Sequence, residues 1–146
     1  MIKIEYPEYQ PKIKNQQDKE FIFDEIRKQW IMLTPEEWVR QNFLQYLVRV
    51  KNYPASLVAV EKEIQLGDLT KRFDIVVYDR NTNPWMIIEC KEMNAALTRP
   101  VLNQALRYNI TLNVPYIVIT NGSYCYGFSG NNGRLEELDD LPDFNA

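Results

Sequence analysis

The sequence predicts one α/β domain, and three observations carry that reading. A capped amphipathic segment, "LTPEEWVRQNFLQYLVRV", precedes three apolar runs separated by turn residues. A second helical segment stands between the third run and a fourth. The fourth run, "PYIVIT", is apolar throughout, as a strand covered on both faces is. A helix between the third and fourth strands suits a crossover connection, so the sheet should be mixed.

Taken in order, residues 1–33 are mixed. "KIKNQQDKEFIF" reads as a hairpin with arms Lys12–Lys14 and Glu20–Phe23, and "DEIRKQWIML" leaves helix and strand open. The first helix starts where Thr34 offers an N-cap oxygen, Pro35 falls at the first helical position and Glu37 completes a Thr-x-x-Glu capping box. Val39, Phe43, Leu47 and Val50 recur at helical spacing as its apolar stripe, with Glu37, Arg40, Gln41 and Leu44 on another side. "KNYPAS" ends it. "LVAVEKEIQL", "RFDIVVYD" and "WMIIECK" read as a three-stranded meander, turning at "GDLTK" and "RNTNP". "TRPVLNQALRYNITLN" is the second helix, capped by Thr98, with Val101, Ala105, Tyr108 and Leu112 on one face. After "PYIVIT", "NGS" turns the chain into the alternating strand "YCYGFS". The acidic "LEELDDLPDFNA" reads as a loosely packed tail. The domain therefore spans 1–146, with its core at about 34–128 between an N-terminal extension and this tail.

Composition narrows the chemistry. The 146 residues are 45% hydrophobic and 25% charged, which suits a soluble domain with its own core. No apolar run reaches the roughly 20 residues of a membrane helix, so no membrane association is expected. "MIKIEYPEYQ" lacks the apolar core of a signal peptide, and the expected location is the cytoplasm. Cys90 and Cys125 have neither metal-ligand nor disulfide-framework spacing. Histidine is absent, which removes the commonest general base and the Ser-His and Cys-His pairs. Catalysis would then rest on carboxylates, lysines or tyrosines with a hard metal ion. The net charge of −3 does not advertise nucleic-acid binding, although a local basic patch is compatible with it.

The stretch from Arg72 to Glu92 concentrates that chemistry. With its turn centred on Thr82, a hairpin sets Asp74 opposite Cys90, with Glu89 and Lys91 as diagonal neighbours. Alternation points Glu89 and Lys91 one way and Ile88 and Cys90 the other. Bringing Asp74 to the Glu89 side would take a one-residue register change or a bulge. Two such carboxylates repel unless a cation intervenes. A divalent metal held by Asp74, Glu89 and the Cys90 carbonyl would polarise a phosphoryl oxygen and acidify a bound water, with Lys91 beside it. Taken alone, Glu-x-Lys is a very weak pattern, and a solvated strand end explains it more readily.

The wider arrangement resembles the PD-(D/E)XK nuclease superfamily: Asp74 on one strand, then Glu89 and Lys91 ending the next, with a helix before and after. Gln104 and Tyr108 look like the Gln-x-x-x-Tyr motif of its RecB-like branch, four residues apart on one helical face. More closely, "LTPEEWVRQNFLQYL", "KRFDIVVYD", "MIIECKE", "LNQALRYN" and "PYIVITNG" resemble the N-terminal nuclease domain of type I restriction enzyme R subunits, in a small stand-alone form. The resemblance covers about Thr34 to Phe128. It implies a restriction-endonuclease-like αβββαβ core, a mixed sheet flanked by helices. It implies DNA hydrolysis with Mg²⁺ or Mn²⁺ on Asp74 and Glu89, Lys91 assisting the attacking water, and Gln104 and Tyr108 supporting the site. Glu37 would match an acidic residue on the first helix of some relatives, an extra metal-side ligand. Phe73 stands where the superfamily has proline. No Walker A motif is present, so ATP-driven translocation would need other restriction or helicase subunits. Cutting a duplex would favour a homodimer.

Other residues have plainer readings beside functional ones. Glu61 and Glu63 share a strand face by alternation and are expected to be solvated. Cys90 is expected to pack as a small apolar side chain. Tyr124, Tyr126 and Phe128 alternate on one face, as core packing more readily than as a base-stacking platform. Lys71 and Arg72 would contact phosphates or be surface charges. The alternative function is a non-catalytic DNA-binding or assembly module on the same fold.

Overall fold

Strand β1 (Ile2–Lys3) is followed by a small antiparallel sheet of β2 (Ile13–Gln16), β3 (Lys19–Asp24) and β4 (Gln29–Met32). The hairpin expected from "KIKNQQDKEFIF" is therefore present, and the undecided "DEIRKQWIML" supplies a turn and a third strand. Asp24 makes that turn. Its carboxylate accepts from the backbone N–H groups of Ile26 and Arg27, both at 2.8 Å. The computed structural model describes the backbone of residues 1–131 and 134–145, and side chains over that range except at 66, 69, 108–112 and 131.

Helix α1 (Pro35–Gln45) begins as its sequence dictates: the Thr34 hydroxyl accepts from the Glu37 N–H at 3.0 Å, with Pro35 in the first turn. The Glu37 side chain does not complete the capping box. It turns inward to two arginines instead. A π-turn over Tyr46–Val50 prolongs the helix, Asn52 takes a left-handed φ of 59°, and Pro54 follows. Val39, Phe43 and Leu47 are buried as the stripe predicts, but Val50 is exposed. The second side of the helix is buried too: Glu37, Arg40, Gln41 and Leu44 all lie inside.

The main sheet contains β5 (Val58–Leu66), β6 (Leu69–Tyr78), β7 (Pro84–Cys90), β8 (Tyr116–Thr120), β9 (Tyr124–Asn131) and β10 (Arg134–Glu137). The order is β1-β9-β8-β7-β6-β5, with β10 also on β9. All pairs are antiparallel except β7 with β8. That parallel pair is the expected crossover, made through α2 (Arg99–Leu112), which starts one residue after Thr98. One sheet face packs Ile75, Val77, Met86 and Ile88 against Val39, Phe43 and Leu47 of α1. The other packs Phe73, Val76, Ile87 and Ile117 with Leu97 and Ala105 on the α2 side. Burying each such aliphatic side chain contributes about 1.5–3 kcal/mol. No helix of the described residues is long and apolar enough to cross a membrane.

Two irregularities position the site. The first is in the β6–β7 hairpin. Ile75 faces Ile88 and Val77 faces Met86, but the register shifts between Val77 and Tyr78, which faces Pro84. Asp79 causes the asymmetry by accepting from the N–H groups of both Asn81 and Asn83 at 2.9 Å. A turn symmetrical about Thr82 would oppose Asp74 to Cys90. The turn instead sits one residue earlier, with Tyr78 opposite Pro84, and the shift beside it sets Ile75 opposite Ile88, while the Asp74 carboxylate accepts from the Cys90 N–H. The second irregularity is the absent Glu61–Asp74 pair in an otherwise regular β5–β6 ladder. Glu61 has a left-handed φ of 52°. Val60 and Ile75 pack on the α1 side, whereas Ile64 and Phe73 pack on the α2 side. Strict alternation would keep Val60 on the face of Ile64, and Ile75 on that of Phe73. Both strands therefore turn over at the same place, and Glu61 reaches Arg27 and Arg40 on the α1 side.

The acidic tail is not loose. Leu138 donates its N–H to the Gly127 carbonyl at 2.7 Å, extending the β10 pairing. Leu141 is buried, and the Phe144 ring lies 5.1 Å from that of Trp85. Tyr53 donates its hydroxyl to the Pro142 carbonyl at 2.6 Å. Leu141 and Phe144 dock on the core, while the exposed Asp140 and Asp143 stand 3.8 and 3.9 Å from the Lys51 ammonium.

Candidate active site

Asp74, midway along β6, and Glu89, near the end of β7, meet on neighbouring strands. The Asp74 carboxylate has two fixed partners. Oδ2 accepts from the Cys90 N–H at 2.8 Å, and Oδ1 accepts from Arg40 at 2.7 Å. Glu89 lies mostly buried beside it. Burial first, then the Asp74 charge, push the Glu89 carboxyl up to about 8 against an opposing pull from Lys71 and Lys91. Glu89 Oε1 is buried and accepts no hydrogen bond, and the Lys71 ammonium stands 4.0 Å from it.

Lys91 follows directly after β7, and its N–H donates to the Thr120 carbonyl at 2.7 Å. That bond ties the lysine backbone to the parallel strand. Lys71, Glu89 and Lys91 line one small cavity of about 50 Å³ with Val101, Gln104 and Ala105 of α2. The structure thus brings together four of the five residues expected to be catalytic: Asp74, Glu89, Lys91 and Gln104. Tyr108 is on the same helix, but its side chain lies outside the described residues. Lys71 joins the cavity, whereas Arg72 pairs with Glu63 at 3.2 Å. Cys90 is buried in the α1-side core, as expected. Phe128 is buried in the α2-side core, with Tyr124 and Tyr126 packed against it.

Behind Asp74 runs a chain of alternating charges that the sequence did not reveal. Arg40 donates to Glu37 at 2.5 Å and to Asp74, and stands 3.4 Å from Glu61. Arg27 donates to Asp24 at 2.6 Å, to Glu61 at 2.9 Å and to Glu37 at 3.3 Å. Gln41 bridges Asp24 and Glu37. Burial raises the Asp24 carboxyl, but hydrogen bonds from the Arg27 backbone, Gln41 and the Arg27 guanidinium outweigh it and hold the group below its usual value. Both Glu37 oxygens accept from these partners, so Glu37 reaches Asp74 through Arg40 and does not itself stand with the Asp74–Glu89 pair. The Arg40 position had a faint sequence signal, an arginine one turn after Glu37 on a helix that buries both sides. Arg27 had none, because its segment carried no periodicity.

A hard cation would find Asp74, Glu89 and the Cys90 carbonyl as donors here. A buried carboxylate pair with one oxygen lacking a hydrogen bond fits such an ion. Among the described residues, no three His, Cys, Asp or Glu side chains converge as a ready-made metal site, so other ligands would come from water or a bound phosphate.

No curated protein matches the sequence. Among solved structures, the type IIG restriction endonuclease BpuSI is similar, with 20% identity and a TM-score of 0.48. The match covers 66% of this chain and 11% of that one. Residues 35–142 match the family model described as type I restriction enzyme R protein N terminus (HSDR_N). That span contains the Asp74–Glu89 pair, Lys91, Gln104 and both helices, and the chain belongs to the type I restriction enzyme R protein N-terminus family.

Proposed function

We propose that the protein is a metal-dependent nuclease that hydrolyses DNA phosphodiester bonds. The observation that carries this reading is Glu89 set beside Asp74, with Lys91 and Gln104 around the same opening. Asp74 and Glu89 would hold Mg²⁺ or Mn²⁺ with the Cys90 carbonyl, and such an ion supplies phosphate charge neutralisation and an acidified water. The chain's own groups do the rest. Water oxygen attacks phosphorus, one P–O ester bond breaks, and the leaving oxygen takes a proton. Lys91 orients that water and meets the charge growing on the phosphoryl oxygens. Gln104 positions from α2, with Tyr108 one turn on. Arg40 fixes the Asp74 carboxylate from behind, and Glu37 acts through Arg40 as a positioning residue.

Because Glu89 carries a proton near neutrality in the metal-free protein, metal binding should release it. Calorimetry in two buffers of different ionisation enthalpy tests this. Wild type should bind Mn²⁺ with proton release, and Asp74→Ala should not bind. Cleavage of plasmid and single-stranded DNA should accompany binding and vanish in Lys91→Ala. Mn²⁺ uptake that survives Asp74→Ala would refute the metal assignment. Duplex cleavage would further call for a second copy of the chain.

One observation favours a second reading, a DNA-binding or assembly module that does not cut. Arg40 already neutralises Asp74 without a metal. In that case neither Mn²⁺ nor DNA with Mn²⁺ would give cation uptake, and partners such as other restriction or helicase subunits would define the role.

A further inference from the structure

The β2-β3-β4 sheet precedes the residues matched by the family model, which start at 35. Its register separates its residues into two unlike faces. Ile13, Ile22 and Ile31 lie in one row, and Ile22 is fully buried. Glu20 and Asp24 share that face by alternation. The opposite face carries Lys12, Phe23 and Trp30 in one cross-strand row and Lys14, Phe21 and Met32 in the next. Lys19 lies on the same outward side. The outward positions of the paired strands carry lysines and no carboxylate, in a chain whose total charge is −3.

The outward face is also open. Trp30 is 38% exposed and Met32 45%. The Phe23 and Trp30 rings meet edge to face at 5.3 Å. Lys14 Nζ lies 4.5 Å from the Trp30 ring centre, and Lys12 Nζ lies 5.7 Å from that of Phe23. Apolar partners alone would leave such a face bare, and an anionic surface without rings would not use the tryptophan. Rings interleaved with ammonium groups match a strand that offers bases and phosphates at alternating positions.

We propose that this face binds single-stranded DNA. Trp30 and Phe23 stack on unpaired bases, while Lys12, Lys14 and Lys19 meet the phosphates. The choice of DNA over RNA rests on the nuclease reading above; the stacking face itself does not.

The test uses the whole chain with fluorescein-labelled dT15 in EDTA, read by anisotropy. Saturable binding is expected. Trp30→Ala should weaken it about tenfold, and Trp30→Phe should restore most of the loss. Lys12→Gln with Lys14→Gln removes no ring, and should lower the slope of log affinity against log salt by about 1.4. Binding is read in EDTA whereas cleavage needs Mn²⁺, so loss of cleavage and loss of this face read out separately. Lack of saturable binding overturns the proposal. So does binding that both Trp30→Ala and the lysine pair leave unchanged, since the lysines would then only shield exposed rings. Tighter binding of rU15 or of a blunt duplex overturns it as well.

Discussion

Replacing Glu89 by glutamine should stabilise the metal-free protein while removing its cation site. In the native state burial and Asp74 hold the Glu89 carboxyl up to about 8, against 4.5 for the free side chain. Between these values the native state keeps a proton that the unfolded chain has lost. Stability therefore falls as pH rises from 4.5 to 8, and levels off above. Below 4.5 both states are protonated and the penalty is absent. Each pKa unit is worth about 1.4 kcal/mol, so ionised Glu89 destabilises the fold by about 5 kcal/mol at most. Glutamine removes that charge and retains the shape. At pH 9 in EDTA, Glu89→Gln should gain about 2–5 kcal/mol, a rise in Tm of about 5–15 °C for a chain of this size. At pH 5 the difference should shrink to less than about 1 kcal/mol. Calorimetric melts across this pH range decide the matter. Equal Tm values at pH 9, or a gain independent of pH, would refute the idea that Glu89 is held against its own charge. Saturating Mn²⁺ should raise the wild-type Tm and leave the variant unmoved.

The remaining predictions concern the groups around that pair. Arg40→Ala leaves Glu37 and Asp74 buried without their shared cation, and should lower stability by about 3–5 kcal/mol in urea titrations; pairing it with Glu37→Gln should recover part of the loss. Lys91→Ala should abolish cleavage while moving Tm by no more than about 2 °C, because its side chain is not part of either core. Ending the chain after Asp140 removes Leu141 and Phe144 from their contacts with the α1-side core. That deletion should lower stability by about 3 kcal/mol, measured by chemical denaturation.

Local chemistry made most of the main elements legible. Thr34 and Pro35 set the start of α1, the runs "IVV" and "MII" set β6 and β7, and a helix before "PYIVIT" required the parallel pair. Each depends on residues within a few positions, so the sequence states it directly. Chain proximity likewise placed Glu89 and Lys91 on one face. The tail reads as loose in sequence because apolar residues scattered among acids carry no period, and only the docking of Leu141 and Phe144 on the α1-side core, with Phe144 against Trp85 and Tyr53, shows their worth.

Tertiary structure decided what joins these pieces. The Asp79 hydrogen bonds and the register shift beside them set how Asp74 meets Cys90 on the next strand, a one-residue matter that alternation cannot resolve. The reversal of both strands at Glu61 and Asp74 is likewise invisible to a period-two reading. The Asp24–Arg27–Glu37–Arg40–Asp74 chain links residues up to 50 positions apart. Long charged side chains choose partners by burial and geometry, which no local pattern encodes. Local patterns sufficed for the helices, the main-sheet strands and the residue types of the site. The fold decided which carboxylate keeps its proton, which is held by an arginine, and what stands behind them, because those outcomes depend on distance and desolvation.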